Sequence, residues 1–344
     1  MPALPLRTAL LGSLATLALS PALSQAQTDP HVDVVASFSI LADMVENVGG
    51  EYVSVTTLVG PDSDAHVFSP SPTHARTLSE ADLVVFNGLQ FEGWMERLVE
   101  SSGYSGPHVV TTDGLDTLAY AGHDHDHAHG HDETHDSHGH EEHDHDDHAH
   151  AHGDRDPHAW QNLSLAQGYV TNIRDGLIEA DPDNAETYRD NAERYLEELK
   201  ETDRAIREQL SEIAENASVV TGHDSFGYFS QAYGIRFLSP AGLSTEVEPS
   251  AADMARLIDV IREQSVQALF HENMTNPNTL EQIAEETGLP IAGTLYADAL
   301  ASEGEASTYL GMMRHNTRVL HDALGDSARG HDHDHDHDHS EHAH

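Results

Sequence analysis

The chain has 344 residues, 16 Lys and Arg against 60 Asp and Glu, a formal net charge of −44, 29 histidines and no cysteine. That length allows two domains of ordinary size. The acidity repels phosphate backbones and excludes nucleic acid as a partner. The lack of cysteine excludes thiolate metal sites, disulfides, Cys nucleophiles and a lipid-modified N-terminal Cys, so any metal must be held by imidazole and carboxylate.

The first residues read as an export signal, removed after Ala26 (residues 1–26). Arg7 supplies the positive start, Thr8 to Leu19 is a short apolar run, Pro21 breaks it, and Ser24-Gln25-Ala26 offers small residues for cleavage. The run is well short of the roughly 20 residues a membrane span needs. An exported chain without a lipid anchor points to a Gram-negative periplasm.

Strands and helices then alternate. Strands are expected at Val32 to Ser37, Tyr52 to Val59, Leu83 to Asn87 and His108 to Thr111, and helices at Ile40 to Val48, Thr73 to Ser79 and Glu92 to Ser101. Such alternation implies parallel βα units, here an N-terminal lobe over 32–160. Within it, His123 to His152 holds no apolar residue larger than Ala. It cannot bury a core and reads as a disordered His-rich loop. A helical region follows over 161–215. It contains Leu163 to Ile178 and a long pattern over 183–213, in which Tyr188, Tyr195, Leu199, Ile206, Leu210 and Ile213 recur near the helical period. That length suits a rigid rod between two lobes, and a rod resists hinge closure, so small lobe motion is expected. A second α/β lobe is expected over 216–324. Its strands lie at Ser218 to Thr221, Ile235 to Leu238, Val266 to His271 and Pro290 to Gly293, and its closing helix at Thr308 to Leu324. A disordered His/Asp tail occupies 325–344. The predicted fold is therefore two similar α/β lobes with mainly parallel sheets, joined by one long α-helix.

Outside the two His-rich tracts nine histidines remain: His31, His66, His74, His108, His158, His223, His271, His315 and His321. His66, His158 and His223 each sit in a loop or at a strand end with an acidic neighbour, in Asp64-Ala65-His66, Asp156-Pro157-His158 and Gly222-His223-Asp224. Ligands of open α/β sheets bind beyond the carboxyl ends of the strands. His66 and His223 follow predicted strands and so fall on the rim where two lobes would face each other. His74, His108, His315 and His321 read as surface or packed side chains, His271 is a candidate for lining the cleft, and Trp94 and Trp160 read as packing residues.

Five motifs occur in order: Asp-Ala-His-Val-Phe-Ser-Pro-Ser-Pro (64–72), Asp-Pro-His-Ala-Trp (156–160), Gly-His-Asp-Ser-Phe-Gly-Tyr-Phe (222–229), Glu-Val-Glu-Pro-Ser (246–250) and Tyr-Ala-Asp-Ala-Leu (296–300). Over about 32 to 324 the chain resembles the metal-specific solute-binding proteins of bacterial ABC transporters, in their ZnuA/AztC-like zinc branch. The resemblance implies one metal between the lobes, held by His66, His158 and His223, with Asp298 as the fourth ligand. Manganese members resemble this pattern with Glu at the third position, so His223 argues for Zn²⁺ as the transported ligand. Three neutral imidazoles and one carboxylate also suit tetrahedral zinc, at roughly 2.0–2.2 Å from each donor, whereas manganese prefers more oxygen. Asp64, Asp156 and Asp224 are candidate acceptors for the second ring N–H of the imidazoles.

The implied role is zinc capture in the periplasm and delivery to an ABC permease by a monomer, with a periplasmic chaperone as a conceivable donor. A zinc buffer, or a manganese or iron carrier of the same family, stands as the alternative. The His-rich loop reads as a loose collector of ions. An enzyme is not expected: there is no HExxH and no GxSxG, and a closed four-ligand site leaves no position for substrate.

Overall fold

The computed structural model describes residues 32–120 and 155–329, with side chains through 325. The predicted signal segment 1–26, the His-rich loop 123–152 and nearly all of the tail lie outside the described residues.

The chain builds two four-stranded sheets, parallel throughout. The first contains β1 (Val32–Phe38), β2 (Val53–Val59), β3 (Leu83–Phe86) and β4 (His108–Val110) in the order β2-β1-β3-β4. The second contains β5 (Ser218–Val220), β6 (Arg236–Leu238), β7 (Ala268–Glu272) and β8 (Ile291–Leu295) in the order β6-β5-β7-β8. The two orders are the same pattern shifted by four strands, so the lobes repeat one another. In each, the chain leaves the first strand to one side and returns on the other, which opens a crevice at the carboxyl ends of the central strands. β1 is buried at all but one position, as expected of a parallel strand covered on both faces.

Helices α1 (Ser39–Gly49), α2 (Pro72–Glu80) and α3 (Met95–Ser102) belong to the first lobe, and α6 (Gly227–Tyr233), α7 (Ala251–Glu263) and α8 (Asn278–Thr287) to the second. Between the lobes run α4 (Leu163–Ala180) and the linking helix α5 (Ala185–Leu210). α5 buries Tyr188, Ala192, Tyr195, Leu199, Thr202, Ile206 and Leu210, a stripe at steps of three and four residues. Its outer face carries exposed ion pairs such as Lys200–Glu197 at 3.6 Å. The closing helix α9 (Tyr309–Arg329) runs to Arg329 rather than ending at Leu324; it lies against α5 and α1.

One large hydrophobic cluster joins β1, α1, α4, α5 and α9 with α6, so the linking helices share a core with both lobes. A smaller cluster fills the outer face of the second sheet under α7 and α8. No helix among the described residues is long and apolar enough to cross a membrane.

Asp43 is set into the seam between α1, α5 and α9. Its Oδ2 accepts the Tyr309 N–H at 3.0 Å and the Tyr195 hydroxyl at 3.4 Å. Burial outweighs these bonds and raises its pKa from 3.8 to about 6. The folded protein therefore holds this proton more tightly than the unfolded chain does. Its contribution to stability is complete below about pH 4 and is lost as pH rises through about 6. Asn at this position keeps an oxygen for the Tyr309 N–H and carries no charge. Relative to the wild type, Asp43→Asn is expected to gain up to about 3 kcal/mol between pH 4 and pH 7, read as the difference between the two denaturation curves at each pH. A difference that does not change with pH would contradict this reading of Asp43.

Candidate metal centre

The four residues named from the sequence meet in the crevice between the lobes. His66 follows β2, His158 precedes the short 3₁₀ turn Ala159–Gln161, His223 follows β5, and Asp298 follows β8. One ligand atom from each lies within 4.8 Å of all the others, and all four residues are buried. The imidazole centroids form a near-equilateral triangle, 5.6 Å from His66 to His158, 5.7 Å from His66 to His223 and 5.5 Å from His158 to His223.

The Asp298 carboxylate faces this triangle. Its Oδ2 lies 2.9 Å from His223 Nε2 and 3.2 Å from His66 Nε2, and its Oδ1 lies 3.7 Å from His158 Nε2. Only the contact with His223 is a hydrogen bond. His66 Nε2, His158 Nε2 and Asp298 Oδ1 are buried without a partner. Buried polar atoms are normally satisfied, and three unsatisfied acceptors converging on one point are the signature expected of a cation position. The donor set therefore fits a single divalent metal.

Further carboxylates orient the rings. Asp156 Oδ1 takes both the backbone N–H of His158 at 2.9 Å and its Nδ1 at 2.7 Å. Glu272 Oε2 lies 2.9 Å from His223 Nδ1, while Oε1 accepts the Ser225 hydroxyl at 3.1 Å. With a proton on Nδ1 in each case, the Nε2 lone pairs are left for the metal. Gly222 makes room for this: a Cβ there would stand 2.7 Å from Glu272 Oε2.

Of the three predicted acceptors, Asp156 reaches its ring. Asp64 Oδ1 instead accepts the His66 backbone N–H at 2.9 Å, and the backbone N–H of Asp224 goes to Gly242 O. The residue that does face His223, Glu272, stands beside His271, which the sequence had offered for the cleft. Strand alternation places the two on opposite faces of β7, and Glu272 has the inner one.

The two tryptophans do more than fill space. Trp94 Nε1 donates to Ala65 O at 2.7 Å and Trp160 Nε1 donates to Ala297 O at 2.9 Å. Each fixes the residue that precedes a member of the cluster. Phe91 stands edge-on to His66 at 4.7 Å, on a turn held by the buried Glu92, which accepts from Ser37 Oγ and from the Asn87 and Gly88 N–H groups. His74 caps α2 through the Ser71 N–H, and His315 contacts Thr294 O, as packed residues would.

The electrostatics is that of a site with a proton where a metal would go. Burial lowers the pKa of His66 below the ordinary imidazole value. On His223 burial acts the same way, but Glu272 and Asp298 outweigh it and raise its pKa well above that value. Burial alone would raise Asp298, yet the imidazoles, His223 foremost, hold its carboxyl well below the usual carboxylate range. Without metal, His223 carries a proton between two carboxylates.

The family model described as the zinc-uptake complex component A, periplasmic, ZnuA, matches residues 34–323. This chain belongs to that family. Its members are the metal-binding periplasmic components of ABC transporters, solute-binding proteins and not enzymes. The chain is 34% identical over 294 residues to the manganese-binding lipoprotein MntA of Halalkalibacterium halodurans, covering 85% of this chain and 88% of that protein. It is 30% identical over 294 residues to the iron-binding protein YfeA of Yersinia pestis, covering 85% and 86%. Among solved structures, the periplasmic zinc-binding protein TroA from Treponema pallidum superposes with a TM-score of 0.73 at 25% identity, covering 85% of this chain and 99% of that one. The two-lobed architecture with its linking helix is shared with TroA.

Because metal needs neutral imidazole, loading near pH 7 is expected to expel about one proton per ion, from His223. Calorimetry in two buffers of different ionisation enthalpy measures this number. Glu272→Gln removes part of the pull on that proton and one support of the ring. It should reduce the proton release and weaken binding by roughly 10–100-fold. Wild-type affinity and wild-type proton release in Glu272→Gln would remove Glu272 from the site.

Proposed function

We propose that this protein captures zinc in the periplasm and delivers it to an ABC permease, with the ion held by His66, His158, His223 and Asp298. The observation that carries the reading is the donor set: three imidazole nitrogens and one carboxylate, converging at 4.8 Å or less and sealed from solvent. Three nitrogens and one oxygen match tetrahedral zinc. Manganese favours more oxygen donors. Full enclosure by four side chains leaves no open coordination position and serves carriage. The strong acidity of the chain attracts cations from solution, and we assign the His-rich loop 123–152 to weak, multiple zinc binding that feeds the tight site.

One observation favours a second reading, manganese or iron. The curated relatives above are named for those metals, and the partnerless Asp298 Oδ1 gives the carboxylate a second oxygen to offer.

Affinity alone does not separate the readings, because nitrogen-rich sites bind zinc more tightly than manganese whatever their biological cargo. Growth does. Cells lacking this protein are expected to stall under zinc chelation and to recover when the wild-type chain is restored. They should not recover with His66→Ala, His158→Ala or His223→Ala, each of which should lose at least about 100-fold in zinc affinity while keeping the fold. Stalling under manganese or iron depletion, with normal growth under zinc depletion, would overturn zinc as the cargo.

A further inference from the structure

The four ligands are buried, so an ion held among them leaves only if the lobes part. On the inner side, the contacts between lobes are sealed in the core. Trp160 and Gln161, both 0% exposed, donate to Ala297 O, and Tyr309 donates to Trp160 O. On a more exposed side a loop of the first lobe is tied to the second. It is the segment Gly60-Pro61-Asp62-Ser63-Asp64-Ala65-His66.

Asp62 bonds across the gap between the lobes through its N–H and both carboxylate oxygens. Its N–H donates to Leu300 O at 2.9 Å, its Oδ1 accepts Asn273 Nδ2 at 2.9 Å, and its Oδ2 accepts the Ser302 N–H at 3.0 Å. Asn273 Nδ2 also donates to Ala299 O at 3.3 Å. Every one of these partners flanks Asp298 or is tied to the turn that carries it. To make the three bonds Asp62 adopts φ = 53°, a left-handed conformation that Asp tolerates better than most residues. Two residues on, Asp64 Oδ2 accepts Thr245 Oγ1 at 2.6 Å, a second bond to the other lobe. Asp62 contributes no ligand atom to the site.

We propose that Asp62 is a positioning residue for metal retention: it clasps the His66 loop to the Asp298 loop and thereby sets the rate at which the bound ion is released. The proposal rests on the metal site assigned above. Asp62 is exposed, at the edge where the crevice opens, so the clasp breaks before the buried contacts behind it. Release to a permease then requires Asp62 to exchange Asn273 and Ser302 for water or for groups of the partner. The carboxylate bonds are the ones that matter; Asn at this position keeps one acceptor and loses the other.

The test uses the full chain loaded with one equivalent of zinc. Release into excess chelator is followed through tryptophan fluorescence, since the Trp160 ring centroid lies 5.2 Å from that of His158. Asp62→Ala is expected to accelerate release roughly tenfold, and Asp62→Asn to fall between it and the wild type. The melting temperature of the metal-free protein should fall by no more than a few degrees: Ala tolerates φ = 53° less well than Asp, but the position is exposed and outside the core. Asn273→Ala should also accelerate release, and its combination with Asp62→Ala should be no faster than Asp62→Ala alone. If Asp62→Ala fails to fold, Asn273→Ala carries the test. Wild-type release rates in these variants, or fully additive effects, would overturn the clasp while leaving the metal site in place. A wild-type protein that retains no zinc and shows no fluorescence change would overturn both.

Discussion

The structure turns on one buried carboxylate. Asp298 has no solvent exposure, and a bare carboxylate is very costly to bury. Three imidazoles around it hold it ionised, and one of them, His223, carries the proton that balances the charge when no metal is present. That balance is incomplete, because Asp298 Oδ1 and two ring nitrogens keep unused lone pairs. A divalent cation satisfies all of them at once and leaves a formal charge of about +1 on the cluster, which Asp156 and Glu272 compensate through the rings. Metal and proton therefore compete for one position.

The rest of the fold serves to deliver four side chains from distant parts of the chain to that point. Two sheets share one strand order; His66 follows β2, His223 follows β5 and Asp298 follows β8, while His158 comes from the turn that leads into α4. Rigidity comes from behind. The hydrophobic cluster runs without interruption from the first lobe through α4 and α5 into α9 and α6, so the four clustered side chains sit on elements anchored in a shared core. The Trp94 and Trp160 indoles, fixed in that core, reach the carbonyls beside His66 and Asp298.

Much of this was legible in the sequence. The alternation of apolar strands and amphipathic helices gives the lobes, and the long periodic stripe of α5 gives the rod. The three histidines stand out because each lies in a loop or at a strand end beside an acidic residue, His66 and His223 just after predicted strands. What was not legible is long-range. Asp298 sits among alanines with no local sign of its role, and it entered only through family resemblance. Glu272 stands beside His271 at the strand end but was given no role, since one residue decides which face of a strand a side chain takes and the strand's register was not known. Asp62 pairs with Ser302 across 240 positions, and no local pattern foretells such a contact. The indole donors were read as packing because their size explains their burial without their N–H groups.

The central claim is that one ion is held by three imidazole nitrogens and one carboxylate oxygen, with no water among the ligands. X-ray absorption on protein carrying a single equivalent of zinc tests it directly. The account predicts four-coordinate zinc at roughly 2.0–2.1 Å with a strong imidazole signal, reduced by about one third in His223→Ala. A shell of five or six mainly oxygen donors, or an imidazole signal unchanged in His223→Ala, would contradict it.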